Sequence, residues 1–374
     1  MVVAQVQSQR RSQQRPIHAT TIATFPTNIA QELCGVRPGR CAQDTGVGTT
    51  RTSLAHVAPE RPIGVSRYAQ CRLYARYGFE SKVKTMPSPI AQLGRSVAIT
   101  GAGAGLGREI ALGFAAKGYS AFGTALSEEE IQELKAASDG CVHLTLADMT
   151  QEAAVQAWAQ GVTETLGDAG LDLLINNAGI LTPGPIEVLP LEAIRREFDV
   201  NVFGALSVIN AFLPALRKAR GRIVQVSTWT ASVPLPFNGP SGASKAAMEV
   251  FSAVYRAELK SFGIDVVVAA AGNMKTGGPA KTASALTRVA QAMTPAQRSL
   301  YGPAFASFTS KLNGMQSDGL DAAAAAARVI ELAEQTPAPS RAAVGADAEL
   351  MLKAARERSD AELDALRLQI AGLG

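Results

Sequence analysis

The stretch whose residue types most directly suggest chemistry is "TGAGAGLGRE", Thr100 to Glu109. Glycines let a backbone turn sharply and approach a pyrophosphate. A helix starting there offers free N–H groups and the positive end of its dipole to an anion. The spacing is Thr100, Gly101, Gly105, Gly107, because Leu106 and Arg108 stand at the third-glycine positions of the two possible GxGxxG registers. Taken alone, the glycines also fit a tight structural turn. A second stretch, "FNGPSGASKAAMEVF" from Phe237 to Phe251, places Lys245 one helical turn after Ser241. An ammonium lowers the pKa of a nearby hydroxyl. A phenol starts near 10 and can be brought toward neutrality, whereas an aliphatic hydroxyl starts several units higher and stays out of reach. Proton transfer by Ser241 at neutral pH is therefore poor. Metal chemistry has no support: Cys34, Cys41, Cys71 and Cys141 show no CxxC or metal-like spacing. His143, with no second histidine or cysteine pair beside it, reads as a buried or edge residue rather than a ligand or base.

These residues need a scaffold. From Ser96 onward, apolar strand-like runs ("RSVAITG", "YSAFGTAL", "CVHLTLAD", "LDLLINNAG", "GRIVQVST", "IDVVVAAAG") alternate with helical patterns. Near-continuous apolar strands alternating with helices predict an α/β fold, a doubly wound parallel sheet covered on both faces, in a single domain over 89–374. Its ligand lies beyond the carboxyl ends of the strands. In "SEEEIQELKAAS", Ser127 with Glu130 reads as a capping box. The chain carries +4 overall, but residues 1–88 hold twelve Lys and Arg against four acids, which leaves −4 for the rest. The folded part therefore shows no nucleic-acid footprint. No run approaches the roughly 20 apolar residues of a membrane span. Residues 1–88 lack sustained periodicity. They read as an upstream extension or mis-set start, a transit peptide, or a tail with an interaction role. Few cysteines and no secretory core imply a reduced, cytoplasmic protein, or an organellar one if 1–88 is a transit peptide.

Several motifs follow in order: Thr100-Gly101 with Gly105 and Gly107, Asp148-Met149, "NNAG" at Asn176 to Gly179, "NVFG" from Asn201, "VST" at the fifth strand and "SGASK" to Lys245. "AAGNMKT" has Ala271 where a proline is usual. From about Arg95 to the C-terminus this order resembles the short-chain dehydrogenase/reductase family, and the tail resembles the branch related to 17β-hydroxysteroid dehydrogenases. The resemblance implies a Rossmann fold and a nicotinamide cofactor. It implies cofactor contacts at Gly101, Gly103, Ala104, Gly105, Leu106, Gly107, Thr124, Asp148, Met149, Asn177, Ala178, Gly179, Lys245, Gly272, Met274 and Thr276. It also implies a homo-oligomer, dimer or tetramer, and a substrate-covering loop at about 273–318.

In that family a hydride passes between nicotinamide and a carbonyl carbon. A tyrosine handles the proton, a lysine lowers its pKa and holds ribose, a serine bonds the substrate oxygen, and an asparagine holds a relay water. Carried over, the asparagine is Asn201, the lysine Lys245 and the serine position Thr228, with Ser227 as a fallback. The tyrosine position is Ser241, shorter than tyrosine by about 5–6 Å of reach. Three readings stay open. A water links Ser241 or Lys245 to substrate. The substrate, or another tyrosine such as Tyr301, supplies the proton. Or the chain is a redox-silent cofactor-binding or non-redox protein. At the end of the second strand an acid would bind the ribose 2′-hydroxyl and an arginine the 2′-phosphate. Leu126 does neither, and Thr124 and Ser127 can donate to a phosphate, so the expectation is NADP(H) over NAD(H). Trp229 and Phe237, with Asn238 and Asn273 as orienting groups, outline a pocket for a small-molecule hydrophobic carbonyl or alcohol, and the space of the missing ring suits a bulky one. Met274 belongs with that apolar wall, whereas Phe305 and Phe308 read as packing of the cover.

Overall fold

The computed structural model describes residues 94–374; residues 1–88 and the expectations for them lie outside the described residues. Strand β1 (Ser96–Ile99) leads through the glycine loop into helix α1 (Gly105–Ala116), then β2 (Ser120–Ala125), α2 (Glu128–Ala137), β3 (Val142–Leu146) and α3 (Glu152–Leu166). The chain continues with β4 (Leu173–Asn176), α4 (Leu191–Phe198), α5 (Ala205–Ala219), β5 (Arg222–Thr228), α6 (Gly239–Glu258) and β6 (Asp265–Ala271). The seven-stranded sheet has the order β3-β2-β1-β4-β5-β6-β9, with β9 at Arg341–Val344, and every pairing is parallel. Chain order reverses between β1 and β4, so the crevice for a ligand opens beyond their carboxyl ends.

Burial explains the apolar runs. Every residue of β1, β2 and β4 is buried, as a sheet covered on both faces requires. On one face lies α1, whose Leu106, Ile110 and Phe114 recur every fourth residue and pack with α9 (Ala322–Glu334) through Ala325, Val329 and Leu332. On the other face α3, α5 and α6 contribute Trp158, Phe212 and Met248. A third cluster gathers Trp229, Val233, Leu235, Phe305 and Phe308 under the segment that follows β6.

The run Leu191–Ala219 is continuously helical for 29 residues and apolar enough by length and composition to cross a membrane. Its apolar side chains Val202, Val208, Ile209, Phe212 and Leu216 are buried against the sheet, which accounts for its composition. The helix is not uniform: Asp199–Gly204 winds as a π-turn between α4 and α5. Segment 273–318, expected as a covering loop, holds β7 (Met274–Lys275), α7 (Gly278–Ala292) and α8 (Pro295–Ser317). Strand β7 pairs with β8 (Leu320–Asp321), and α10 (Ala346–Glu357) and α11 (Asp360–Ala371) close the chain.

Candidate active site

The glycine loop takes its shape from close backbone approaches. Gly101 and Gly105 adopt left-handed φ of +64° and +55°, and a Cβ at Gly107 would lie 2.1 Å from the Gly101 carbonyl oxygen. Only glycine fits there. Thr100 joins the two strand ends, its Oγ1 accepting from the N–H of Asn177 and of Ala178 at 2.9 Å each. The Asn177 amide donates to the Thr100 carbonyl at 3.0 Å. Ala104, at the N-cap of α1, is exposed and makes no side-chain cap bond, so the helix start faces the crevice uncovered, as an anion site requires. Thr276 closes the loop from above, since a Cβ on Gly105 would lie 3.7 Å from its Cβ. This cradle fits the diphosphate of a dinucleotide.

Other residues expected to hold cofactor fall around it. Asp148 lies just beyond β3, with Oδ1 accepting from Thr150 N–H and Oγ1–H at 2.9 Å each. Met149 is buried, and a Cβ on Gly204 would meet its carbonyl oxygen at 2.8 Å, which explains the glycine of "NVFG". Thr124 is buried beneath the loop, its Oγ1 accepting the Gly101 N–H at 2.9 Å. A Cβ on Gly272 would collide with the Asp347 carboxylate, and Met274 enters the short β7–β8 pair.

Three elements bring the polar groups together. The π-turn presents Asn201, whose Oδ1 accepts the Ile180 N–H at 2.8 Å. Its Nδ2 reaches Ile180 O and Ser244 Oγ at 3.0 Å each and Glu197 Oε1 at 3.3 Å. Helix α6 carries Lys245, whose Nζ donates to the Val226 carbonyl at 3.1 Å. Asn201 and Lys245 converge on Gly179: a Cβ there would lie 3.1 Å from Asn201 Oδ1 and 3.2 Å from Lys245 Nζ. Strand β5 ends at Thr228, whose hydroxyl accepts the Thr230 N–H at 3.3 Å and caps a short 3-10 turn. Ser241 is buried in the first turn of α6, and its carbonyl accepts the Ser244 hydroxyl at 3.1 Å. Ser227 faces the other way, donating to Glu249 at 2.6 Å.

Two carboxylates that motif spacing passes over complete the electrostatics. Glu197 is fully buried, accepts the Thr182 N–H at 2.8 Å, and is pushed up to about 7 by burial, against the pull of Thr182 and Lys245. Lys245 is pushed down to about 8 by desolvation, with Glu197 and Glu249 pulling it back up. Glu249 is likewise raised by burial and pairs with Arg341 at 3.0 Å. Glu197 stands four residues before Asn201 and Glu249 four after Lys245. One-turn spacing along each helix is the signal that would have found both.

On the substrate side, Trp229 is buried among Val233, Leu235 and the helices over the site. Phe237 adopts φ +61°, its ring set edge-on to Phe305 and Phe308 at 5.6 and 5.5 Å. A bulky residue in this region stores strain. The same residue's carbonyl accepts the Gly184 N–H at 2.8 Å. Asn238 is buried with its Oδ1 unpartnered. Asn273 points its amide at Asp347, with Nδ2 to Oδ2 at 3.0 Å. Tyr301 donates its hydroxyl to Glu187, and this bond holds its pKa above the usual phenol value. In this arrangement Tyr301 is a poor acid.

The family model for short chain dehydrogenases matches residues 95–286. An NADPH-dependent 3-dehydrocapnine reductase from Ornithobacterium rhinotracheale is 30% identical over 268 residues, 70% of this chain and 91% of that protein. Estradiol 17-beta-dehydrogenase 2 from Mus musculus is 35% identical over 185 residues, 49% of each chain. Among solved structures, a short-chain dehydrogenase from Streptomyces avermitilis aligns with a TM-score of 0.59 at 25% identity, covering 75% of this chain and 96% of its own.

Proposed function

The chain belongs to the short-chain dehydrogenase/reductase family, and from that premise we propose that it is a nicotinamide-dependent oxidoreductase acting on a hydrophobic carbonyl or alcohol without a phenol at the proton-transfer position. The convergence of Asn201 and Lys245 on Gly179, beside a glycine cradle shaped for diphosphate, carries this reading. A bound nicotinamide supplies or accepts the hydride. The chain's own work is to hold it and to manage the proton. Lys245 holds the ribose side and keeps positive charge near the reacting oxygen. Thr228 hydrogen-bonds that oxygen. Asn201 fixes the Ile180 backbone and the start of α6 through Ser244. With Ser241 too short to reach substrate, water fills the space of the missing ring and passes a proton from the Lys245 side. Relatives named for estradiol and retinol dehydrogenation, together with the apolar cover of Trp229, Phe237 and Phe305, support a bulky hydrophobic substrate. The buried, unpartnered Asn238 Oδ1 supports a hydrogen-bond donor on it.

The second reading is a redox-silent nicotinamide-binding protein, and Ser241 is the observation that favours it. Cofactor titration separates both from a purely structural role. NADH or NADPH fluorescence should show saturable binding that Lys245→Ala weakens about tenfold or more, on the order of one buried charged contact. Absence of binding by either nucleotide would sink both readings.

A further inference from the structure

The end of β2 holds a group that sequence spacing hides. In a doubly wound fold the adenosine ribose lies beside the glycine loop and the end of the second strand, where this chain presents Leu126, 72% exposed. The expectation of a 2′-phosphate there rested on free hydroxyls at Thr124 and Ser127 and on the lack of a carboxylate. Neither hydroxyl stands open to a phosphate: Thr124 is buried, its Oγ1 accepting the Gly101 N–H at 2.9 Å, and Ser127 caps α2, its Oγ accepting the Glu130 N–H at 3.3 Å while the hydroxyl meets the Glu129 carboxylate. A carboxylate is also present. Glu130 turns back from the first turn of α2 so that Oε2 accepts the Leu126 N–H at 3.0 Å. The capping box is thus only half formed, since the acid bonds Leu126 rather than the Ser127 backbone. The same oxygen lies against the glycine loop, 2.4 Å from where a Cβ on Gly103 would stand, with Glu130 Cβ at 2.9 Å from that point. A helix cap alone does not require this packing on Gly103. One carboxylate therefore touches both segments that flank the ribose. Among the described residues no lysine or arginine forms an ion pair with Glu130.

We infer that Glu130 reads the 2′ position of the cofactor's adenosine ribose, accepting from a 2′-hydroxyl and repelling a 2′-phosphate, so that the site selects NAD(H) over NADP(H). This rests on the nicotinamide-dependent reading above and reverses the expectation from sequence. A carboxylate only accepts hydrogen bonds; a ribose hydroxyl supplies the donor it needs, whereas a phosphate monoester brings further acceptors and negative charge. Discrimination then comes as much from repulsion as from attraction.

The test titrates NADH and NADPH separately into the full chain and into Glu130→Gln and Glu130→Ala. Glutamine keeps an acceptor for the Leu126 N–H while losing the charge, so the fold around the loop is retained. The wild type should bind NADH at least about tenfold more tightly than NADPH, and Glu130→Gln should tighten NADPH about tenfold while weakening NADH severalfold. Equal affinities or an NADPH preference in the wild type would overturn the inference. So would an unchanged NADPH affinity in a folded Glu130→Gln. Either result leaves the oxidoreductase reading standing, whereas failure to bind either nucleotide removes both.

Discussion

Asn201 and Lys245 sit in a site whose charges are closely balanced. A buried ammonium is flanked by two acids, and each ionised group is costly unless another answers it. Glu197 is fully buried and raised from 4.5 to about 7, chiefly by burial. The folded state therefore keeps this proton up to about pH 7, whereas the unfolded chain releases it near 4.5. Between those values the native state binds more protons, so its stability falls as pH rises, by roughly 2–3 kcal/mol across the window. Glu197→Gln should flatten this dependence in thermal melts from pH 5 to 8; an unchanged slope would show that Glu197 is not its source. Asn201, Thr228 and Lys245 were legible because their types and order match known motifs. Glu197, Glu249 and Glu130 were not, because each acts through a turn of helix or a folded-back side chain.

At the scale of elements, β1, β4 and β6 were legible because burial on both faces leaves them mainly apolar, whereas β9 at the sheet edge, with only Val344 buried, carries no such run and was not expected. The cover over 273–318 was read as a loop, although α7 is as amphipathic as the core helices and only α8 carries a weak amphipathic signal. In α8 the capping box of Thr294 and Gln297, followed by Pro295 at the first turn, marks a helix start that composition conceals. The π-turn at Asp199–Gly204 has no sequence signature, yet it sets Asn201 among Ile180, Ser244 and Glu197. Helix α6 buries Ser244, Met248 and Ser252 and leaves Val250, Phe251 and Val254 exposed, at 65%, 40% and 46%. Phe203 of the π-turn, which packs alongside α6, adds 60% exposure. Apolar surface of this kind supports the proposal of a homo-oligomer built on these helices. Val250→Glu with Val254→Glu should convert the assembled protein to a monomer in analytical ultracentrifugation while preserving its circular dichroism. A monomeric wild type would contradict the proposed interface.

For the molecule as a whole, the parallel order β3-β2-β1-β4-β5-β6-β9 places the glycine loop, the end of β4 and the end of β5 along one rim. Helices α4 and α6 then bring Glu197, Asn201 and Lys245 to the same rim from the side. That architecture follows from alternating apolar strands and helices, and it positions a cofactor regardless of what stands at position 241. Chemistry depends on finer matters: which groups near Gly179 carry protons, and whether water reaches them. In the proposed mechanism Lys245 still drives proton transfer without a phenol. The most direct test measures nicotinamide-dependent reduction of a panel of hydrophobic ketones by the wild type, Lys245→Ala and Ser241→Tyr. A slow wild-type rate that falls at least about a hundredfold in Lys245→Ala is the predicted result, the size expected for losing a proton-transfer group. No wild-type turnover, with activity appearing only in Ser241→Tyr, would contradict it.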